Sequence, residues 1–183
     1  PMKLPKSVTI REVGTRDGFQ GEKQFIPTEA KVRLIQAIAA AGVPRIEAVS
    51  FMNPKVLPQM ADAEEVMARL ERRPGTRYEG VIANVKGAQR AAAARVDGMS
   101  MVIGASDVMN RGNVGMTAQE SLALMPTIQE IAGNSNIPLM VGIVCATGCP
   151  YTGAVPEERV TWLADELVRL GIEELWLADT VGF

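Results

Sequence analysis

Short apolar runs alternate with longer amphipathic runs along almost the whole chain, and this alternation constrains the fold more than any other feature. Most of the short runs are nearly uniformly apolar, which is typical of parallel strands that are covered on both faces. The alternation therefore predicts βα units around a parallel sheet. The predicted strands cover residues 7–13, 45–50, 78–83, 99–104, 139–145 and 174–178.

Helix signals fill the intervals between these strands. Thr28 is a candidate N-cap of the first helix, and Gly42 a candidate terminator. Thr117 and Glu120 have the spacing of a capping box, and Pro126 is expected to kink the helix that they begin. Five helices are predicted, over residues 28–41, about 62–72, about 87–95, from 117 onwards, and 156–170.

Two arrangements fit six strands and five helices in strict alternation. A (β/α)8 TIM barrel takes about 250 residues, so a chain of 183 residues would supply about its first six strands and five helices. Residues 1–183 would then be a single catalytic barrel domain, truncated at the C-terminus. The alternative is a complete doubly wound open sheet, but residues 14–18 do not match the G-x-G-x-x-G turn of dinucleotide-binding sheets. The barrel is favoured.

Composition argues against several classes of function. The net charge is −2, so no basic field attracts nucleic acid or an anionic membrane. No apolar run approaches the roughly 20 residues that span a bilayer, and the start of the chain lacks the apolar core of a secretory signal. We therefore expect a cytoplasmic protein. The absence of histidine excludes a Ser-His-Asp triad and a histidine-ligated metal site within these residues.

Polar residues follow the predicted strands, where barrel enzymes carry their catalytic groups. The first strand leads into Arg16 and Asp17, and the sixth ends at Asp179. Glu47 lies within an otherwise apolar strand, where a buried carboxylate needs a partner, and Arg16 is the obvious candidate. The residues alone leave two interpretations open: a catalytic site at the mouth of a barrel, or an architectural ion pair beside solvated loop charges.

Several segments, in order along the chain, share the pattern of one known family. They are EVGTRDGFQGEK at 12–23, IEAVSF at 46–51, PKVLPQM at 54–60, AS at 105–106, CATGCPY at 145–151 and DTVG at 179–182. On these segments the sequence resembles the 3-hydroxy-3-methylglutaryl-CoA lyases. These belong to a superfamily of metal-dependent TIM barrels that break or form carbon–carbon bonds.

The resemblance implies cleavage of 3-hydroxy-3-methylglutaryl-CoA, or a related 3-hydroxyacyl-CoA, to acetyl-CoA and a keto acid such as acetoacetate, as in leucine degradation. It implies an acyl-CoA substrate, a homo-oligomer (dimer or tetramer) and a divalent cation, Mg²⁺ or Mn²⁺, which prefer hard oxygen ligands. The resemblance implies that Asp17 is a metal ligand and that Arg16, Glu47 and Asp179 are catalytic, with Arg16 stabilising an enolate. The residues implied to bind substrate are Arg16, Gln20, Lys23 and Asn113.

The family also carries a His-x-His pair, a metal-binding Asn and a catalytic cysteine, none of which matches a position in residues 1–183. We therefore expect that the 183-residue chain alone lacks a complete active site. Two alternatives stay open. One is a Claisen-condensing synthase or carboxyltransferase of the same superfamily. The other is a non-catalytic partial barrel, whose open sheet edges would invite pairing with another chain.

Overall fold

The central element is a six-stranded sheet in which all neighbouring strands are parallel. The structure is a computed structural model that describes residues 4–182, so residues 1–3 and 183 of the predicted domain lie outside the described part. Two further short strands form an antiparallel hairpin. The sheet contains β1 (Arg11–Glu12), β2 (Arg45–Ser50), β3 (Arg77–Ile82), β4 (Gly98–Gly104), β5 (Leu139–Val144) and β8 (Glu174–Leu177), and the hairpin contains β6 (Gly148–Cys149) and β7 (Gly153–Ala154).

The order of the strands decides between the two predicted arrangements. The order of strands in the sheet is β1-β2-β3-β4-β5-β8, so each strand lies next to the strand that precedes it along the chain, with the β6-β7 hairpin set aside. A doubly wound sheet reverses its direction at a switch point, whereas a TIM barrel adds each strand on the same side. The sheet is therefore the parallel half-barrel formed by six strands of a (β/α)8 fold, and the predicted fold class is confirmed.

The first strand is shorter than predicted, because only Arg11 and Glu12 of residues 7–13 pair with β2. The register places Arg11 opposite Arg45, so residues before Arg11 would face Pro44, which has no N–H to donate to a ladder. Val8 and Ile10 are instead largely exposed. The apolar residues of this segment predicted a longer first strand, but β2 begins at Arg45 and does not pair with the residues before Arg11.

Residues 4–182 contain seven α-helices rather than the five predicted. The segment after β4, for which no helix was predicted, is a helix between the N-cap Ser106 and Gly115, whose φ of 77° ends it. The helix expected to kink at Pro126 is divided at Leu124 into two. The helices are α1 (Thr28–Ala40), α2 (Ala63–Arg69), α3 (Val85–Ala93), α4 (Asp107–Val114), α5 (Ala118–Ala123), α6 (Met125–Asn134) and α7 (Glu157–Arg169).

The caps agree in part with the sequence. The capping box of Thr117 and Glu120 is present, and Gly42 ends α1 in the left-handed region with φ 85°. Thr28 does not cap α1, since Pro27 takes the N-cap position. The Thr28 hydroxyl instead donates a hydrogen bond of 2.7 Å to the Asp62 carboxylate.

The core lies between the helices and the outer face of the sheet. Side chains alternate between the two faces of a strand, so that Ile46 packs in the core while Arg45 and Glu47 face a cavity on the inner face. Within residues 4–182, the helices are all too short or too polar to cross a membrane. The fold thus places charged side chains of the inner face around one cavity.

Candidate active site

A cavity of about 660 Å³ lies on the concave face of the sheet and extends to the carboxyl ends of its strands. In parallel barrels this end carries the chemistry. Six of the seven predicted site residues line the cavity: Arg16, Asp17, Gln20, Glu47, Asn113 and Asp179. Lys23 is exposed and is not among the lining residues.

Arg16 and Asp17 are presented by a π-helical turn, Gly14–Gly18, which follows the first strand. The Val13 carbonyl accepts hydrogen bonds from the N–H groups of both residues, at 3.0 and 2.7 Å. The buried Thr15 hydroxyl donates to the Glu47 carbonyl at 3.2 Å, which ties the turn to β2. Single π turns are rare and are frequent at functional sites. The turn holds Arg16 against the strand that carries Glu47.

Glu47 is fully buried and is paired by two guanidinium groups. Its carboxylate forms an ion pair with Arg16, and an Arg11 nitrogen lies 2.5 Å from its Oε2. The side chains of Arg16 and Arg11 are only 14% and 18% exposed, so the three charges are largely removed from water. Buried charges of this kind are tolerated only when each has a partner of opposite charge. The expected pairing of Glu47 with Arg16 is therefore present, with Arg11 as an unforeseen second partner.

A second buried carboxylate, Glu79, extends this pair into a network that the sequence analysis missed. Glu79 is fully buried opposite Glu47, and it binds Arg11 at 2.6 Å and Arg45 at 2.7 Å. Arg45 also binds Glu174 at 2.6 Å. Burial disfavours the charge of Arg45, but hydrogen bonds to Glu79 and Glu174 outweigh it and raise its pKa. The signal was available, because Glu79 also interrupts an apolar strand.

An irregularity in β2 adjusts which side chains reach the cavity. The pairing with β3 shifts between Glu47 and Val49, which leaves Ala48 as an extra residue. After the shift, Ser50 and Met52 line the cavity together with Glu47. Bulges of this kind often redirect side chains beside active sites.

Asp17 lies at the mouth of the cavity, with a side chain that is 54% exposed. Its Oδ1 accepts hydrogen bonds of 2.7 Å from the Arg16 guanidinium and of 2.7 Å from the Gln20 amide. Both donors fix the carboxylate without burying it. Asp17 is therefore held in one orientation while it stays open to solvent.

The remaining predicted residues surround this group. Asp179 lines the cavity just after β8, and its carboxylate accepts a hydrogen bond of 2.6 Å from the Thr147 hydroxyl. Asn113 reaches the cavity from α4. The cavity is thus lined both by acidic side chains and by Arg16.

The donor set accounts for part of a divalent metal site. The Asp17 carboxylate is an exposed, oriented oxygen donor of the kind that Mg²⁺ and Mn²⁺ prefer. Within residues 4–182, however, no group of three or more histidine, cysteine or acidic side chains is arranged to hold a metal ion. The described residues therefore fit one ligand of a metal site and do not form a whole one.

The two cysteines, Cys145 and Cys149, are both buried and free. Burial opposes ionisation of Cys149, but hydrogen bonds from Ser106, Thr152 and the backbone of Tyr151 and Thr152 lower its pKa to about 7. Burial raises the pKa of Cys145.

Fold and site together define a TIM-barrel protein with an arginine-centred polar cavity at the carboxyl ends of its strands. The model of the family described as HMGL-like matches residues 7–183. The mitochondrial hydroxymethylglutaryl-CoA lyase of Rattus norvegicus is 40% identical over 179 residues, 98% of this chain and 55% of the relative. A 3-hydroxy-3-isohexenylglutaryl-CoA/hydroxy-methylglutaryl-CoA lyase of Pseudomonas aeruginosa is 39% identical over 99% of this chain and 60% of the relative.

The chain belongs to the HMGL-like family. Its fold also matches a solved HMG-CoA lyase from Acinetobacter baumannii, in complex with coenzyme A and 3-methylmalate. That match has a TM-score of 0.92 at 36% identity and covers 95% of this chain and 57% of the other. The chain spans little more than half the length of the relatives it matches.

Proposed function

We propose that the polypeptide containing this chain cleaves 3-hydroxy-3-methylglutaryl-CoA to acetyl-CoA and acetoacetate, or a closely related 3-hydroxyacyl-CoA to acetyl-CoA and the corresponding keto acid. The observation that carries the proposal is the position of Arg16, held by the buried Glu47 beside the oriented carboxylate of Asp17. Membership of the HMGL-like family and the lyase names of the relatives support the choice of reaction.

The reaction breaks a carbon–carbon bond and leaves its electron pair on the acetyl thioester as an enolate. In our proposal the Arg16 guanidinium stabilises this developing oxyanion, because a fixed cation in a site poor in water stabilises charge that forms in the transition state. Glu47 positions Arg16 through their ion pair. Asp179 is the proposed base that accepts the proton of the substrate hydroxyl, since it lines the same cavity. The enolate carbon then takes up one proton from a general acid or from water to give acetyl-CoA.

Substrate and metal contacts complete the proposal. Gln20 and Asn113 would contact the acyl portion from the cavity wall, whereas Lys23 could contact only coenzyme A outside the cavity. Asp17 would contribute one ligand to Mg²⁺ or Mn²⁺, which when bound supplies Lewis-acid polarisation of substrate oxygens. Its other ligands would come from outside the described residues.

The biological setting is also proposed. We place the enzyme in the cytoplasm, where free buried thiols such as Cys145 and Cys149 persist, and in leucine degradation. The mitochondrion also keeps thiols reduced, so fractionation of cells decides between the two. The oligomeric state, a dimer or tetramer, is a prediction that sedimentation of the natural polypeptide tests.

Product analysis of the natural polypeptide tests the proposal. With Mg²⁺ or Mn²⁺ and 3-hydroxy-3-methylglutaryl-CoA, acetyl-CoA and acetoacetate should form in equal amounts. The matched reaction contains acetyl-CoA and a 2-keto acid, and it should give no condensation product. Condensation without cleavage would instead identify a synthase and overturn the proposal.

A further inference from the structure

Trp176 occupies the inner face of β8 in an unusual way, because its indole ring lies directly on the bare backbone of Gly142. The two residues are partners in the register of β5 and β8. A Cβ atom on Gly142 would lie 2.1 Å from Cζ2 and 2.3 Å from Cε2 of the indole. No side chain fits at position 142 while the ring stays there. The pair is thus a complementary fit of a very large residue on a glycine.

Other contacts hold the ring in this position. The guanidinium carbon of Arg11 lies 5.5 Å from the ring centroid, within cation–π range. Arg11 is itself fixed by the buried carboxylates of Glu47 and Glu79. The indole nitrogen is buried and has no hydrogen-bond partner among the described residues. The ring is therefore located by shape and by Arg11, not by a hydrogen bond of its own.

The position of Trp176 along β8 places it between two polar levels of the cavity. Asp179 follows the end of β8 at the mouth, whereas Trp176 lies within the strand and therefore deeper in the cavity. Two residues earlier, Glu174 is paired with Arg45 at 2.6 Å and forms a charged floor. Val81, Val102 and Val144 line the cavity together with Trp176 and give it an apolar part, which lies beside the charged side chains of Arg11 and Glu47.

We infer that Trp176, seated on Gly142, sets the upper size limit for the apolar substituent on C3 of the substrate. The inference rests on the proposed function and deepens it. A C3 substituent that points into the cavity, away from Asp17, would meet the indole ring, and the ion pair of Glu174 with Arg45 lies beyond the ring. The substrate class is then a 3-hydroxyacyl-CoA with a short C3 group such as methyl. A long prenyl-type chain would collide with the ring.

The test compares two thioesters in the natural polypeptide: 3-hydroxy-3-methylglutaryl-CoA and 3-hydroxy-3-isohexenylglutaryl-CoA. The wild type should favour the methyl compound. Trp176→Ala should raise the ratio of kcat/KM, isohexenyl over methyl, by roughly tenfold or more, since even one methylene in an apolar pocket changes discrimination about tenfold. Trp176→Phe keeps an aromatic ring at the site, so this variant should fold even if Trp176→Ala does not. Its ratio of kcat/KM should lie between those of the wild type and Trp176→Ala.

The second tryptophan supplies a matched control. Trp162 lies on α7, has its own cation–π contact with Arg159 at 4.4 Å, and does not line the cavity. Trp162→Phe should leave the ratio unchanged. Gly142→Ala should displace the indole and change the ratio in the wild-type background. The same change should have little further effect when Trp176 is already alanine, because the two residues act through one contact.

The outcomes separate this inference from the function on which it rests. Cleavage of the methyl compound with an unchanged ratio in both Trp176 variants overturns the role of Trp176 and leaves the proposed function standing. A wild type that already cleaves both thioesters equally well also overturns it. A wild type that cleaves neither overturns the proposed function itself, and the assignment of Trp176 with it.

Discussion

Replacing Glu47 by glutamine tests whether this buried carboxylate positions Arg16. Glutamine keeps the shape of the side chain, so no cavity is created, but it removes the negative charge. Arg16 and Arg11 would then lose the carboxylate that both of them contact. Because the pairing of Arg16 is the basis of the proposed mechanism, the substitution should reduce both stability and turnover.

The structure sets the size of the two effects. Removing one partner of a buried ion pair costs about 3–5 kcal/mol. Arg16 and Arg11 keep 14% and 18% exposure and can recover some hydration, so we expect about 3 kcal/mol in the free energy of unfolding. Removal of one donor that stabilises an oxyanion lowers kcat by about 10²- to 10³-fold. Because Glu47→Gln should displace Arg16 rather than remove it, we expect kcat/KM to fall about 10²-fold in this variant.

Glu79→Gln is the matched control. Glu79 is as fully buried as Glu47 and faces it across the register of β2 and β3. It forms ion pairs with three arginines, Arg11, Arg45 and, at 4.0 Å, Arg77, but not with Arg16. Urea denaturation should therefore give a similar loss of stability in the two variants, whereas the thioester-cleavage assay should show a loss below about tenfold for Glu79→Gln. Equal losses of kcat/KM in the two variants would refute the positioning of Arg16 by Glu47.

Three further predictions concern the metal, a thiol and a second buried pair. Asp17→Asn should weaken Mn²⁺ binding at least about tenfold in a calorimetric titration, and unchanged affinity would remove Asp17 from the ligand set. Thiolate absorbance at 240 nm should titrate near pH 7 in the wild type and lose that step in Cys149→Ser. The folded pKa lies below the unfolded value of about 8.5, so the stability contributed by Cys149 should grow as pH rises through this interval and be lost below it. Lys31 is 2% exposed and binds Asp62 at 2.6 Å, so Asp62→Ala should cost about 3–5 kcal/mol in urea denaturation, part of which Lys31→Met should restore in the double variant.

The fold was largely predictable, because the alternation of apolar runs gives strand and helix periods directly. The errors arose where a partner element decides the outcome. Residues 7–10 have strand character, but β2 begins at Arg45 and offers them nothing to pair with. No helix was predicted over the polar segment Asp107–Val114, but Ser106 caps it and Gly115 ends it as a helix.

The site was predictable one residue at a time and not as a network. Glu47 stood out as a charge in an apolar strand, and Arg16 was its expected partner. Arg11, Arg45 and Glu79 join them only because the register of three strands aligns their side chains on one face, and no local pattern contains that register. The family resemblance supplied the roles of Asp17 and Asp179, and those roles remain predictions.

Arg16→Met in the natural polypeptide tests the central claim most directly, because it removes the proposed enolate-stabilising cation and leaves Asp17 in place. Turnover of 3-hydroxy-3-methylglutaryl-CoA should fall at least about 10²- to 10³-fold, while the affinity for Mn²⁺ stays within about threefold of the wild type. A variant that keeps its turnover would contradict the account. So would one that loses turnover only because it no longer binds the metal.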